Sequence, residues 1–378
     1  MSSVEEFRAE IRGWLKTHLA GEFASLRGRG GPGREHEAFA ERLAWERHMA
    51  AHGWTCVGWP EEYGGRGASI AQQIAFHEEY ALADAPARVN HIGEQLLGPT
   101  LIDHGTEEQK ARFLPPIRAV GELWCQGYSE PGAGSDLAAV RTRATLEGGR
   151  WTVHGQKIWT SLAHESQWCF VLARTTPGSR RHAGLSYLLV PLERPGVEIR
   201  PIVQLTGTSE FNEVYFDGAE TDGANVVGAP GDGWRIAMAT LGYERGVSTL
   251  GQQVGFRREL EALVDLARRN GSAADPDIRD RLTRAWTGLA AMRAGALCGT
   301  DPSAAKLYWS HWHRDLGELA LEIGGPAATL AAGPPYDLDD RQRLFLFSRA
   351  DTVYAGSSEI QRNIIAERVL GLPKEPRP

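Results

Sequence analysis

The sequence predicts an α+β protein in which a helical segment, a β-rich segment and a second helical segment follow one another along the chain. The residue patterns of three successive segments support this prediction. Apolar residues recur at helical spacing in residues 1–123, short runs rich in Val, Ile, Tyr, Phe and Trp occupy residues 124–231, and helical spacing returns in residues 232–378. We therefore expect three domains with these boundaries.

The composition is that of a folded globular protein and argues against several function classes. The chain has 378 residues, of which 42% are hydrophobic, and its net charge of −7 includes no block of like charge that would attract nucleic acid. Its four cysteines are scattered without a CxxC pair, which argues against a disulfide framework and favours a reducing compartment. No apolar run of about 18 residues occurs. We therefore expect a cytoplasmic protein that does not bind membranes.

The N-terminal segment contains two predicted helices. Phe7, Ile11 and Leu15 recur at helical spacing on an otherwise polar stretch, and similar spacing runs over residues 37–51. The glycines within residues 28–33 satisfy the count GxGxxG, but a dinucleotide-binding fingerprint follows a strand. Because this one follows an amphipathic helix and contains a proline, we interpret it as a turn.

The middle segment is predicted to form an antiparallel barrel or sandwich, because at least five short strands follow one another without a long helix between them. In the last segment, helical spacing begins after Asp232, a residue type that favours helix N-termini. Ser358 and Gln361 have the spacing of a capping box at the start of the final helix, and Gly371 is predicted to end it.

Two pairs of histidines raise the question of a metal site. His311 and His313 are two residues apart, and His48 and His52 have i, i+4 spacing. Neither pair has an acidic or cysteine companion at ligand spacing, so we interpret all four as packed or solvated residues and expect no metal. The sequence also lacks a GxSxG elbow and a GxxxxGK[ST] loop, which argues against a serine hydrolase and a P-loop protein.

Six strings carry the functional information. In chain order they are WPEEYGG (59–65), YSEPGAGSD (128–136), GQKIWTS (155–161), NEVYFDG (212–218), LGYERG (241–246) and YAGSSEIQR (354–362). In this order and at these separations they closely resemble the acyl-CoA dehydrogenase family over essentially the whole chain. The resemblance implies an N-terminal helical domain, a central antiparallel β-barrel and a C-terminal four-helix bundle. It also implies bound FAD, an acyl-CoA substrate and an electron-transfer flavoprotein or similar acceptor.

The resemblance implies that residues of two strings surround the flavin ring: Tyr128, Ser129, Ser135, Trp159 and Ser161. The small residues of the first string let the backbone approach a flat ring. Family members usually have threonine at the position of Ser129, and serine keeps the hydroxyl. The resemblance places Ser161 near flavin N5 and Ser135 near both flavin and substrate.

The last string matches further positions of the family. Ser357 and Glu359 match residues that bind FAD, although Glu359 stands where glutamine is common. Tyr354 and Arg245 match positions beside the substrate. The backbone N–H of Ala355 matches a donor that, with a flavin hydroxyl, holds the thioester oxygen.

The sequence is most specific about the catalytic base. Most relatives have glutamate where this chain has Ala355, which has no proton-accepting side chain. A smaller group, including isovaleryl-CoA dehydrogenase, places the base at the position of Glu244. We therefore predict Glu244 as the base. The alternative is that Glu244 and Arg245 form only a helix ion pair, because relatives that use the other base also have this pair. In relatives, which also include long-chain dehydrogenases, a base at this position accompanies branched or bulky acyl groups, so the resemblance implies such a substrate.

Two family strings that contact the adenine side of FAD are missing. RxxFG has no match in residues 256–280, where Arg257 and Arg258 are the candidate substitutes, and QxxGG appears as residues 321–325 without its amide. The family assembles its FAD sites between subunits. We therefore expect a homodimer or homotetramer, or a heterotetramer in which a related chain completes each site, as in bacterial relatives that act on steroid side chains.

Three other functions stay open on this fold. The acyl group could be carried by an acyl carrier protein in a biosynthetic pathway instead of CoA. The protein could be a flavin-dependent monooxygenase, for which a base is dispensable. It could also be a non-catalytic subunit that completes a partner's flavin site, and the missing adenine-side strings are the argument for that role.

Overall fold

The computed structural model of the protein describes residues 3–244, 248–330 and 337–374, with the side chains of residues 244 and 248–250 outside the description. Contacts divide the chain into two compact units. The first unit comprises Met1–Phe76 and Ala83–Gly246, and the second comprises His77–Leu82 and Val247–Pro378. None of the described helices is long and apolar enough to cross a membrane.

Five helices precede the sheet: α1 (Val4–His18), α2 (Phe39–Ala51), α3 (Ile70–Leu82), α4 (Gly98–His104) and α5 (Glu107–Arg118). The start of α1 is fixed by a capping box, in which the Ser3 hydroxyl accepts from the backbone N–H of Glu6 and the Glu6 carboxylate accepts from the N–H of Ser3. Phe7, Ile11 and Leu15 are buried, as their helical spacing predicts.

The glycine-rich turn at residues 28–33 makes room for a buried arginine. The Arg42 guanidinium is fully buried and donates to the Glu35 carboxylate at 2.8 Å and to the carbonyl of Ala87. Gly30 has a φ of +76°, and a Cβ there would lie 2.1 Å from the guanidinium. The turn therefore has a packing role, which agrees with its interpretation as a turn.

The middle of the chain forms one sheet of eight strands: β1 (Trp124–Gly127), β2 (Arg143–Glu147), β3 (Arg150–Ser161), β4 (Trp168–Arg174), β5 (Leu185–Pro191), β6 (Val197–Ile202), β7 (Phe211–Asp222) and β8 (Val226–Val227). The strands pair in the order β6-β7-β3-β2-β4-β5-β8, and β1 pairs with β4. Pairing is antiparallel except between β1 and β4 and between β2 and β4. Among the described residues no pairing joins β6 to β8, so the sheet is open. The strand pairing therefore does not confirm the predicted barrel.

Helix α6 (Gly233–Glu244) follows the sheet and packs within the first unit. It begins directly after Asp232, where the sequence predicts a helix start. Ile236 and Ala237 are fully buried in a core that also contains Tyr187 of β5. The buried Thr240 hydroxyl lies 2.8 Å from that of Thr100.

The second unit is helical and contains α7 (Ser248–Asn270), α8 (Pro276–Leu297), α9 (Pro302–Gly324), α10 (Asp340–Asp351) and α11 (Ser358–Ile364). Its core is built from apolar faces of α7 to α10, with Leu260, Leu289, Leu316 and Leu344 among the buried residues. The start of α11 lies one residue earlier than the capping-box spacing predicts. Ser357 is the N-cap, and its hydroxyl accepts from the N–H of Ile360. The fold class is therefore helical, sheet and helical, as predicted.

Candidate active site

A buried ion pair joins the two strings that are predicted to surround the flavin. Glu130 belongs to the first string and Lys157, on β3, to the second. The Lys157 ammonium is fully buried and donates to the Glu130 carboxylate at 2.8 Å and to the carbonyls of Tyr128 at 3.0 Å and Leu172 at 2.8 Å. All three hydrogens of the ammonium are thus used, and the string after β1 is tied to the end of β3.

The Glu130 carboxylate is held on its other side by the backbone. It accepts from the N–H groups of Arg141 at 2.6 Å and Thr142 at 2.9 Å. Burial by itself raises the pKa of Glu130, but Lys157 and these hydrogen bonds outweigh it and lower the pKa below its usual value. Glu130 is therefore an ionised structural anchor. Neither member of the pair was predicted from the sequence.

A β-bulge presents Trp159 to solvent beside this anchor. Lys157 pairs with Val214 and Thr160 with Asn212, so β3 has one residue more than β7 in this interval. Trp159 has a φ of +60°, its side chain is 55% exposed, and its ring meets that of Phe211 edge-on at 6.0 Å. An indole exposed in a strained backbone conformation is a surface that a flat apolar group can cover.

The predicted hydroxyl residues lie on the same two strings. The carbonyl of Ser129 accepts from the N–H of Ile158 at 3.0 Å, which places Ser129 one residue away from Trp159 across the pairing. Ser161 is partly exposed at the end of β3, and Ser135 is exposed on the loop. A Cβ added at Gly134 would meet no atom within 4 Å, so the loop is open on that side. Exposed hydroxyls, small residues and an exposed indole fit a flavin ring.

The ring of Tyr128 lies in the core instead of on this surface. It is 5% exposed and meets the rings of Phe170 at 5.7 Å and Tyr187 at 6.2 Å edge-on. Burial strongly raises the pKa of Tyr187, so that phenol stays neutral. What Tyr128 offers next to the predicted flavin surface is its backbone, whose carbonyl binds Lys157.

In the second unit, the loop of the last string is shaped by Gln361. Ala355 has a φ of +51° and Gly356 a φ of +89°. The buried Gln361 amide donates to both of their carbonyls, at 3.1 and 3.3 Å. These bonds fix the two peptide planes that follow Ala355, and so restrain the backbone of the residue whose N–H is the predicted oxyanion donor. Gln361 thus acts on the loop and does not form the predicted capping box.

The two predicted FAD ligands of this string flank the helix start. The Ser357 hydroxyl is the N-cap of α11, and Glu359 is exposed in its first turn. Hydrogen bonds from its own backbone N–H and from Ser357 lower the pKa of Glu359. Ser358 is buried, and its hydroxyl lies 2.9 Å from Nε2 of His311.

A buried polar network lies directly before this loop. Nδ1 of His313 lies 2.5 Å from the Asp351 carboxylate, and its Nε2 lies 2.9 Å from that of Glu259. Asp351 also accepts from the Tyr354 hydroxyl at 2.6 Å, and its carbonyl accepts from the buried Lys306 ammonium. Tyr354, predicted beside the substrate, is therefore fixed through Asp351.

The charge of this network is set by His313. Burial by itself lowers the pKa of His313, but the hydrogen bonds to Asp351 and Glu259 outweigh it and raise the pKa to about 9. At neutral pH the imidazolium is thus held between two carboxylates. The i, i+2 spacing of His311 and His313 is explained by two separate hydrogen-bonding roles.

The predicted base lies at the end of the first range of residues that the structure describes. Glu244 is the last residue of α6, but its side chain and the whole of Arg245 lie outside the described residues. Position 244 follows one helical turn after Thr240 and two after Ala237, both of which are fully buried. The Tyr243 hydroxyl donates to Asp103, which fixes this last turn of the helix to α4.

The adenine-side candidates are engaged within the second unit. Arg258 donates to the carbonyls of Ala81 at 2.6 Å and Leu82 at 3.3 Å. Arg257 lies over the Trp286 ring, 5.7 Å from its centroid. Leu321 stands at the position of the family's glutamine, and the neighbouring Glu322 binds Arg281. The substitutes considered from the sequence therefore have structural contacts of their own.

Known proteins match the chain over its whole length. The acyl-CoA dehydrogenase N-terminal, middle and C-terminal domains match residues 2–120, 125–219 and 231–370. Acyl-CoA dehydrogenase IpdE1 of Mycobacterium tuberculosis is 67% identical, with 99% of each protein covered. Two solved structures share 30% identity with the chain. The Tcur3481-Tcur3483 steroid ACAD has a TM-score of 0.84 with 98% of each chain covered, and the ChsE4-ChsE5 complex from M. tuberculosis has a TM-score of 0.81 with 100% covered. The chain therefore belongs to the acyl-CoA dehydrogenase family of FAD-dependent oxidoreductases.

Proposed function

We propose that the protein binds FAD and removes one hydrogen each from the α and β carbons of an acyl-CoA thioester. The observation that carries the proposal is the surface formed by the strings at 128–136 and 155–161. The pair Lys157–Glu130 fixes these strings to each other at 2.8 Å, and Trp159 is exposed beside Ser129. When bound, FAD supplies the acceptor for the β hydrogen.

The chain's own residues supply the proton acceptor and the oxyanion donor. We assign the base to Glu244, because Ala355 offers no carboxylate at the position that most relatives use. Abstraction of the α proton places negative charge on the thioester oxygen, and the N–H of Ala355 is the proposed donor for that charge. Gln361 binds the carbonyl of this residue and so restrains its backbone on the side opposite to the donor N–H.

The proposed substrate is a branched or bulky acyl-CoA, and the proposed electron acceptor is an electron-transfer flavoprotein. In relatives, a base at the position of Glu244 accompanies branched or bulky acyl groups, and residue 355 here carries only a methyl group. One of the structures similar to this chain is named a steroid ACAD, at 30% identity and 98% coverage. That similarity supports a bulky acyl group.

The first experiment is the visible spectrum and the FAD-to-protein ratio of the chain purified alone. A ratio near one, followed by rapid anaerobic bleaching of the flavin by an acyl-CoA, is the expected result. Bound flavin that no acyl thioester bleaches, with turnover that requires externally reduced flavin, would instead indicate a monooxygenase. Comparing CoA and carrier-protein thioesters of one acyl group separates the two carriers.

The base assignment has its own test. Glu244→Gln is expected to retain FAD and to lose at least ~10²-fold in the rate of flavin reduction, because amide cannot accept the α proton. Glu261→Gln, an exposed change on α7, is the matched control and should react at the normal rate. Normal reduction by Glu244→Gln would leave the residue with an ion-pair role only.

A heteromeric assembly is the second candidate, and the adenine side favours it. Arg258 is engaged by backbone carbonyls within the second unit, Leu321 lacks the family's amide, and both similar structures above are named for two components. In this version the chain alone holds little flavin, and a related chain restores the ratio. Full flavin content in the chain purified alone would argue for a homo-oligomer.

A further inference from the structure

Three histidines from two helices meet in the N-terminal part of the first unit. His48 and His52 lie one turn apart at the end of α2, and His18 is the last residue of α1. In the sequence the pair on α2 has no companion at ligand spacing. The fold supplies one, because α1 and α2 bring the third imidazole from a position 30 residues earlier in the chain.

The ring nitrogens are close enough to share one ion. Nδ1 of His18 lies 2.9 Å from Nε2 of His48, and one ring nitrogen of each histidine lies within 4.8 Å of the others. Metal–nitrogen bonds of 2.0–2.1 Å in a tetrahedral site separate the ligand nitrogens by about 3.3 Å. Side-chain rotations that move the ring nitrogens by about 1 Å would bring these partly exposed residues to that spacing.

The orientation of the rings also suits a metal. Nδ1 of His52 lies 2.8 Å from the carbonyl oxygen of His48, so this nitrogen donates its hydrogen and Nε2 keeps its lone pair. A histidine ligand usually donates its second N–H to a carbonyl or carboxylate in this way. The His18 ring is stacked on Trp14 at 4.5 Å, which restricts its rotation.

The cluster is open to an ion from solvent. His52 is exposed, and His18 and His48 are half-buried. Imidazole nitrogens are common ligands of first-row transition metals.

We propose that His18, His48 and His52 bind a divalent transition metal such as Zn²⁺, with water in the fourth position. None of these residues belongs to the six strings of the dehydrogenase site. The metal would tie the end of α1 to the end of α2 and so stabilise the N-terminal helices. The proposal does not depend on the dehydrogenase activity.

The test is calorimetric titration of the untagged, chelator-treated protein with ZnCl₂. We expect one equivalent to bind with a micromolar or lower Kd. His48→Gln and His52→Gln should each weaken binding at least about 100-fold, because loss of a second-shell partner alone already costs 10–100-fold. His36→Gln, an exposed histidine outside the cluster, is the matched control and should bind normally.

A second measurement identifies the ligands directly. Cu²⁺ added at one equivalent should give an electron paramagnetic resonance spectrum with splitting from several equatorial nitrogens, and His18→Gln should reduce their number. Absence of saturable Zn²⁺ binding in the wild-type protein would overturn the proposal. Binding that is unchanged in His48→Gln and His52→Gln would overturn it as well, because the metal would then lie elsewhere.

Discussion

Replacing Lys157 by methionine removes the charge that neutralises Glu130 beneath the predicted flavin surface. The methionine keeps most of the volume of the lysine stem, so the change acts mainly on charge and hydrogen bonds. The Glu130 carboxylate is 7% exposed and cannot turn to solvent without leaving the N–H groups of Arg141 and Thr142. The variant must therefore bury an unpaired carboxylate or protonate it.

The size of the effect follows from these two choices. Breaking a buried ion pair by removing one partner costs about 3–5 kcal/mol. Protonating Glu130 at pH 7 from an ordinary pKa of 4.5 costs about 3.4 kcal/mol, at about 1.4 kcal/mol per pH unit. We therefore expect Lys157→Met to lower the free energy of unfolding by about 3–5 kcal/mol at pH 7. The loss should shrink by about 1.4 kcal/mol for each unit of pH decrease toward pH 5.

Urea unfolding followed by tryptophan fluorescence measures this loss, at one protein concentration and at several pH values. The double variant Glu130→Gln with Lys157→Met has no charge to bury and should recover part of the stability and lose the pH dependence. Arg150→Met is the matched control on β3, because Arg150 and Glu220 form a largely exposed pair at 3.5 Å worth at most about 1 kcal/mol. A Lys157→Met loss no larger than the control, or one independent of pH, would refute the argument.

Two further predictions concern the second unit. His313 has a folded-state pKa of about 9 against 6.5 when unfolded, so its protonation stabilises the fold fully below pH 6.5, and this contribution is lost as pH rises to about 9. Thermal unfolding of His313→Gln should show a flatter decline over that range; an unchanged profile would contradict the assignment. Gly356→Ala must place a Cβ 2.3 Å from the Gln361 amide at a φ of +89°, so we expect slower flavin reduction at retained FAD content, with a stability loss of about 1–2 kcal/mol. Gly255→Ala on α7, where a Cβ meets nothing within 4 Å, should leave flavin reduction unchanged and raise stability by at most about 1 kcal/mol, and equal behaviour of the two variants would count against the loop argument.

The sequence predicts what depends on local pattern. Phe7, Ile11 and Leu15 occupy one buried face of α1, and the order of helical, β-rich and helical segments agrees with the structure. The predicted start of α11 is wrong by one residue, because serine is a favoured N-cap residue and both Ser357 and Ser358 are serines. Only the tertiary hydrogen bond of Ser358 to His311 decides between them.

What depends on distant residues is harder to predict. Glu130 and Lys157 are 27 residues apart in the sequence. Within its own sequence motif, each of the two has the pattern of an exposed charged side chain. His18 joins His48 only because α1 and α2 pack together. No local pattern identifies the anchor, because the strand positions on either side of Lys157 are only partly buried.

The end strand β6 has a consequence for how the protein behaves at high concentration. An open sheet offers unsatisfied backbone groups to any incoming strand. Pro201 in β6 has no N–H to offer, and the exposed Glu198 and Arg200, joined at 2.7 Å, would have to be desolvated. Edge-to-edge fibre formation along this strand is therefore disfavoured, even at high protein concentration.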